Sequence, residues 1–156
     1  MLKYVHTRIV WLEVPNETTL AIDIANCPFR CKGCHSPELQ EDVGFDLTFD
    51  LLDSFIEKVI GAITCVCFMG GDSEPAYINE LLKHVKEKYK LKTAWYSGKD
   101  NISYEVNMAN LDYYKIGHYD ERLGPISSKH TNQIMLKVSE NGRMSENITR
   151  DFWSKK

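Results

Sequence analysis

Apolar residues recur along this chain in two rhythms. Leu20-Ala21-Ile22-Asp23-Ile24-Ala25 alternates apolar and polar late in its run, which predicts a strand. Thr64-Cys65-Val66-Cys67-Phe68-Met69 is short and continuously apolar, as expected of a strand buried on both faces. Lys92-Thr93-Ala94-Trp95-Tyr96, Asp112-Tyr113-Tyr114-Lys115-Ile116 and Gln133-Ile134-Met135-Leu136-Lys137-Val138 predict three further strands. The second rhythm is helical. Leu51, Leu52, Phe55, Ile56, Val59 and Ile60 share one side of a helix that Thr48 would cap and that would run through Ala62. Ile78, Leu81, Leu82 and Val85 form a second stripe, with Ser73 as the expected cap and Glu74 and Pro75 in the first turn. The segment from Ser139 onward is polar.

Strands alternating with helices predict an α/β fold with a parallel sheet. Right-handed crossovers would put every helix on the same side of a continuously curling sheet. A complete eight-unit barrel needs roughly 200 residues or more, and this chain has 156. The expectation is therefore a partial (β/α) barrel or a strongly curved parallel sheet with helices on the outside, as one domain over 1–156. In either arrangement the chemistry belongs at the C-terminal ends of the strands. The segment 26–46, Gly70-Gly71-Asp72 and Ser97-Gly98 all fall there.

The segment 26–46 has no periodicity, and long loops within compact domains are usually functional. It contains Cys27-Pro28-Phe29-Arg30-Cys31-Lys32-Gly33-Cys34-His35, with the spacing C-x3-C-x2-C. Three thiolates this close can converge on one metal centre, and Gly33 helps the backbone turn. Most iron–sulfur clusters take four cysteines, so three would leave one iron of a four-iron cluster open to a ligand. Zinc on the three cysteines plus His35 is the competing reading, although adjacent Cys34 and His35 share one ion only with unusual geometry.

Composition narrows the choice. The net charge is −3, with 22 acidic against 19 basic side chains, which gives no electrostatic case for nucleic acid or an anionic membrane as the main partner. No apolar run reaches the length of a membrane span, and the N-terminus lacks the apolar stretch of a signal peptide. A cytoplasmic location is expected. Five cysteines, three of them within eight residues, then read as metal binding or catalysis and not as a disulfide framework. Cys65 and Cys67 alternate along one strand and are expected to pack in the core.

The triplet directly after a first strand, in a chain of β and α units, resembles the radical S-adenosylmethionine superfamily. Within it, the stretch from Asn26 to Gln40 looks like the activating proteins of anaerobic ribonucleotide reductase. The resemblance implies a [4Fe-4S] cluster on Cys27, Cys31 and Cys34 and S-adenosyl-L-methionine as the second cofactor. The cluster would reductively cleave S-adenosylmethionine to a 5′-deoxyadenosyl radical. No catalytic residue is assigned beyond the cluster ligands. Gly70, Gly71 and Asp72 match the superfamily motif that binds the methionine amino group, and Ser97 matches a strand end that contacts the ribose or carboxylate. Gly33, Cys34 and His35 would lie beside the adenine.

The implied partner is a glycyl-radical enzyme, the large subunit of anaerobic ribonucleotide reductase, with an electron donor such as flavodoxin. A short barrel would offer that partner's glycine loop an open side. Lys115-Ile116-Gly117-His118-Tyr119 and Thr131-Asn132-Gln133 look like two later motifs of the subfamily. Ile116 stands where relatives carry an aspartate, and Lys129-His130-Thr131 replaces Gly-Ser-Ser. These departures leave the cluster assignment intact and keep open a radical enzyme acting on a small molecule of the deazapurine type; a zinc-binding module without catalysis is a separate reading of the cysteine triplet.

Overall fold

The computed structural model describes residues 1–34 and 36–153. It is a mixed α/β structure in which one sheet of eight strands carries two helices. In chain order the strands are β1 (Lys3–Val10), β2 (Thr19–Ile24), β3 (Phe45–Asp46), β4 (Cys65–Met69), β5 (Lys92–Tyr96), β6 (Tyr113–Ile116), β7 (Ile134–Val138) and β8 (Ser145–Asn147). The helices are α1 (Phe49–Val59), between β3 and β4, and α2 (Pro75–Tyr89), between β4 and β5. The order across the sheet is β3-β1-β2-β4-β5-β6-β7-β8.

The five strands expected from the apolar runs are all present, in the centre of the sheet. Their pairing differs from expectation. β2, β4, β5 and β6 are mutually parallel, whereas β1 runs antiparallel to both β2 and β3, and β7 to both β6 and β8. Four of the seven pairings are thus antiparallel, and the expected all-parallel sheet is corrected to a mixed one. The reason is in the connections. A parallel neighbour needs a crossover, usually a helix. Only a loop with no helix joins β6 to β7, and only the loop 11–18 joins β1 to β2.

Alternation along the central strands splits the core in two. Leu20, Ile22, Val66, Phe68, Trp95 and Tyr114 face one side, where Leu52 and Ile56 of α1 and Ile78, Leu81, Leu82 and Val85 of α2 pack on them. Burying each such side chain contributes about 1.5–3 kcal/mol. Cys65, Cys67, Ala94, Tyr113 and Met135 face the other side, under Val14, Ile126 and Ile148 from loops. Both Cys65 and Cys67 are fully buried there, as expected, and burial pushes the Cys65 thiol well up.

Thr48 caps α1 by accepting a hydrogen bond from Leu51 N at 3.1 Å, and the helix ends at Val59, short of Ala62. The cap of α2 falls on Glu74 instead of Ser73, because Pro75 takes the first helical position, where a missing N–H costs nothing. Lys90, at φ 59°, closes α2 in the left-handed conformation.

Asp53 of α1 ties the two helices together. It accepts hydrogen bonds from Lys88 Nζ at 2.9 Å and Tyr89 Oη at 2.8 Å, and His84 Nε2 lies 2.8 Å away. Burial alone would raise the Asp53 carboxyl, but the bonds from Lys88, His84 and Tyr89 outweigh it and hold the group down at about 2. A carboxyl depressed on folding adds stability that is complete above the unfolded value, about 4, and is lost as pH falls through the folded one. Urea unfolding of Asp53→Asn between pH 7 and 2 should therefore show a stability deficit that is constant down to about pH 4 and shrinks as pH falls towards 2.

Candidate metal centre at the strand ends

The cysteine loop leaves the C-terminal end of β2. Asn26 (φ 62°), Arg30 (φ 48°) and Gly33 (φ 74°) bend it through three left-handed positions. Asn26 N donates to Glu41 O at 3.0 Å and Cys27 N to Leu39 O at 2.8 Å, so the start of the loop is clasped against its return after a 3-10 turn at Pro37–Gln40. Cys34 N donates to Cys31 O at 3.2 Å, which closes a tight turn over Lys32 and Gly33. Cys27, Cys31 and Cys34 are all half-buried and free. Burial pushes the Cys27 thiol up. Among the described residues, no group of three or more His, Cys, Asp or Glu side chains converges as a ready metal site. The fold thus brings the triplet onto one loop without drawing it to a point. His35 lies outside the described residues.

The other expected site residues end the neighbouring strands. Gly70 (φ 108°) and Gly71 (φ 101°) turn the chain out of β4 in a conformation that disfavours a side chain, and a Cβ on Gly71 would meet Ile78 at 2.5 Å. Gly70 O accepts from Trp95 Nε1 at 2.7 Å. Asp72 is 8% exposed, and its carboxylate is engaged on both oxygens: Ser97 Oγ donates at 2.5 Å and Gly98 N at 2.8 Å. Burial pushes Asp72 up, and the bonds from Gly98 and Ser97 oppose that. Asp72 and Ser97, forecast as separate ligand contacts, are therefore partners of each other. The two later motifs also meet: a Cβ on Gly117 would lie 2.9 Å from Gln133 Cα, and Asn132 Nδ2 donates to His118 O at 3.1 Å.

The cysteine loop docks on these strand ends through two glycines. Phe29 lies over Gly98, where a Cβ would meet the ring at 2.7 Å, and Gly33 lies against the Glu121 carboxylate. Between the loop and the segments 98–105 and 118–122 is a cavity of about 1030 Å³ with Phe29, Cys31 and Lys32 in its wall.

A family model described as a 4Fe-4S single cluster domain matches residues 18–144, well over half of the chain. The chain belongs to the 4Fe-4S single cluster domain family. A [4Fe-4S] cluster is the cofactor this membership supports, and the cysteine triplet lies inside the matched span. No curated protein and no solved structure matches the chain.

One buried residue at these strand ends was left without a role by the sequence reading. Lys115, on β6, is 7% exposed, and its Nζ donates to Ser97 O and Gly117 O, both at 3.0 Å. The signal was present in the sequence as a charged residue inside an otherwise apolar and aromatic strand. Phe29, Glu121 and Asp100, which lies 2.7 Å from His118 of the later motif, were also given no role, because nothing local in the sequence brings their loops together.

The Phe29–Gly98 contact sets the seat of the cluster-family loop. Gly98→Ala should push the ring off and cost about 1–3 kcal/mol, as overpacking does. Denaturant unfolding checks the stability, and iron retained per chain after reconstitution should fall in the same variant.

Proposed function

We propose that this protein is a radical S-adenosylmethionine enzyme whose cluster ligands are Cys27, Cys31 and Cys34. It would reductively cleave S-adenosylmethionine to a 5′-deoxyadenosyl radical. Its target would be a glycine of the large subunit of anaerobic ribonucleotide reductase, with a flavodoxin-like electron donor. The observation that carries this reading is the position of the loop: a three-thiol segment, in a 4Fe-4S family member, bordering a cavity of about 1030 Å³ whose wall includes Gly98, the residue that donates its N–H to Asp72. That volume is at the upper end of what ligand pockets offer, about 300–1,000 Å³, and accommodates a nucleoside joined to an amino acid.

In kind, the donor set suits a cluster with one open iron, since the loop supplies three free, half-buried thiols while Cys65 and Cys67 are fully buried in the core. When bound, the cluster supplies the electron that breaks the sulfonium carbon–sulfur bond. The chain supplies binding, orientation and exclusion of water. An ionised carboxylate has about four lone-pair positions. Asp72 uses two on Ser97 and Gly98, which leaves capacity for a ligand ammonium group. Positive φ at Gly70 and Gly71 supports close approach of a ligand to their backbone. Phe29 covers one wall of the cavity with an apolar ring.

Anaerobic reconstitution with iron and sulfide, then a reduced assay for 5′-deoxyadenosine, tests this directly. A brown protein with about four irons per chain is expected, with product formation lost in Cys31→Ala. Tight zinc, no iron and no cleavage would sink the reading and leave a metal-stapled module. Cleavage without any effect on a glycyl-radical reductase would move the substrate to a small molecule.

A further inference from the structure

Cys31 and Cys34 stand at the two ends of one tight turn. Cys34 N donates to Cys31 O at 3.2 Å, and Gly33, at φ 74°, takes the position at which a type II turn calls for glycine. Glu121 holds both residues at the tip of the turn: its carboxylate lies against Gly33 and pairs with Lys32 Nζ at 3.5 Å. A β-turn brings its first and fourth Cα atoms within about 7 Å, and a disulfide spans a Cα separation of about 4.4–6.8 Å. The backbone therefore sets this pair within reach of a bridge before any bond forms.

The other thiols are placed differently. Cys27 N donates to Leu39 O at 2.8 Å, which fastens Cys27 to the return of the loop, and no backbone hydrogen bond joins it to Cys31 or Cys34 among the described residues. Between Cys27 and Cys31 the chain is fixed by Phe29, seated on Gly98, and by Arg30 at φ 48°. Cys65 and Cys67 are fully buried in the core. Cys31 and Cys34 are half-buried and free, and Cys31 stands in the wall of the cavity, so a small oxidant can reach the pair.

We propose that Cys31 and Cys34 form a reversible disulfide when the loop holds no metal, which makes this turn a thiol switch on the metal centre. The switching role rests on the cluster reading above; the disulfide does not. The oxidant is a low-molecular-weight disulfide of the glutathione class. The Cys31 thiolate attacks it, the S–S bond of the oxidant breaks, and a mixed disulfide forms as one glutathione thiolate leaves. Cys34 then attacks the Cys31 sulfur, and the second glutathione thiolate leaves. The cysteine pair is oxidised by two electrons, the oxidant is reduced by two, and the two cysteine protons end on two glutathione thiols. The bridge takes two of the three candidate ligands and spares Cys27. It fits a turn that is already closed, so the fold stays as it is, and reduction returns the thiols without refolding.

The test uses the full chain, stripped of metal by a chelator under reductant and then treated anaerobically with oxidised glutathione. Remaining thiols are capped with N-ethylmaleimide, and bridges are located by peptide mass mapping. The expected product is about 2 Da lighter than the reduced chain, two thiol hydrogens having gone, with Cys31 bridged to Cys34 and Cys27 capped. Its unfolding temperature should match that of the reduced chain, and iron uptake should be lost until a thiol reductant is added. Cys27→Ser should bridge as wild type does, whereas Cys31→Ser and Cys34→Ser should each stop at the mixed disulfide. A bridge to Cys27, a bridge between two chains, or glutathione retained on both turn cysteines overturns the proposal. So does a lowered unfolding temperature in the bridged chain, which would show that the turn has to distort. A bridged chain that takes up iron as the reduced chain does overturns the switching role. Reduced wild-type protein that takes up no iron removes the cluster reading and the switching role with it, while the bridge is judged on the mapping alone.

Discussion

The buried carboxylate of Asp72 is the joint on which the end of the sheet depends. It receives the Ser97 hydroxyl and the Gly98 amide, so one side chain locks the end of β4 to the end of β5. The backbone repeats the connection, with Gly70 N donating to Tyr96 O at 3.0 Å and Trp95 Nε1 to Gly70 O. Lys115 extends it to β6 through the carbonyls of Ser97 and Gly117. Hydrogen bonds to charged groups contribute about 1.5–3 kcal/mol each, and their buried partners would be left unsatisfied without them. The cysteine loop rests on this joint through Gly98, so the geometry of the thiols follows from a contact that involves none of them.

The sequence was legible where burial is continuous. Val66 and Phe68 or Trp95 and Tyr114 announce central strands because both faces of the sheet are covered there. It was silent at the edges. β8, Ser145–Asn147, is exposed at every residue and carries no apolar signal. β1 does have a buried side, but the register shifts between Tyr4 and His6, so the period-two pattern is broken where it would be read. The direction of β7 was not legible either. Its alternation is the same whichever way it runs, and the deciding fact is the missing helix between 117 and 133.

The candidate site was legible as a list and not as a network. Spacing singled out Cys27, Cys31 and Cys34, and position after strands singled out Gly70, Gly71, Asp72 and Ser97. Spacing cannot say that Asp72 and Ser97 bond to each other, since 25 residues separate them. The departure at Ile116 also changes meaning in three dimensions. Ile116 belongs to the apolar cluster on the helix side, whereas its neighbour Lys115 faces the other way. Swapping an acid for isoleucine at that point alters packing against the helices, and the charge at this strand end is carried one residue earlier.

That division bears on how a substrate can approach. The face of the sheet away from the helices is not open along its length: Val14 is fully buried against it, Tyr96 donates to Glu13 O, Tyr113 Oη donates to Glu17 Oε2 at 2.8 Å, and Trp153 Nε1 donates to Ile126 O at 3.0 Å. The chain's own 11–18 loop and residues 148–153 occupy the side on which a short barrel would have received a partner. What stays accessible is the strand-end rim, where the cavity is walled by Lys99, Asp100, His118 and Arg122 and Tyr104 stands fully exposed. On the proposed reading, a large partner would present its reacting segment across that charged rim, end-on to the strands. A small molecule would meet the same groups inside the cavity. Both routes run past Cys31, so the rim residues, more than the cysteine loop, are where discrimination between substrates would have to be built.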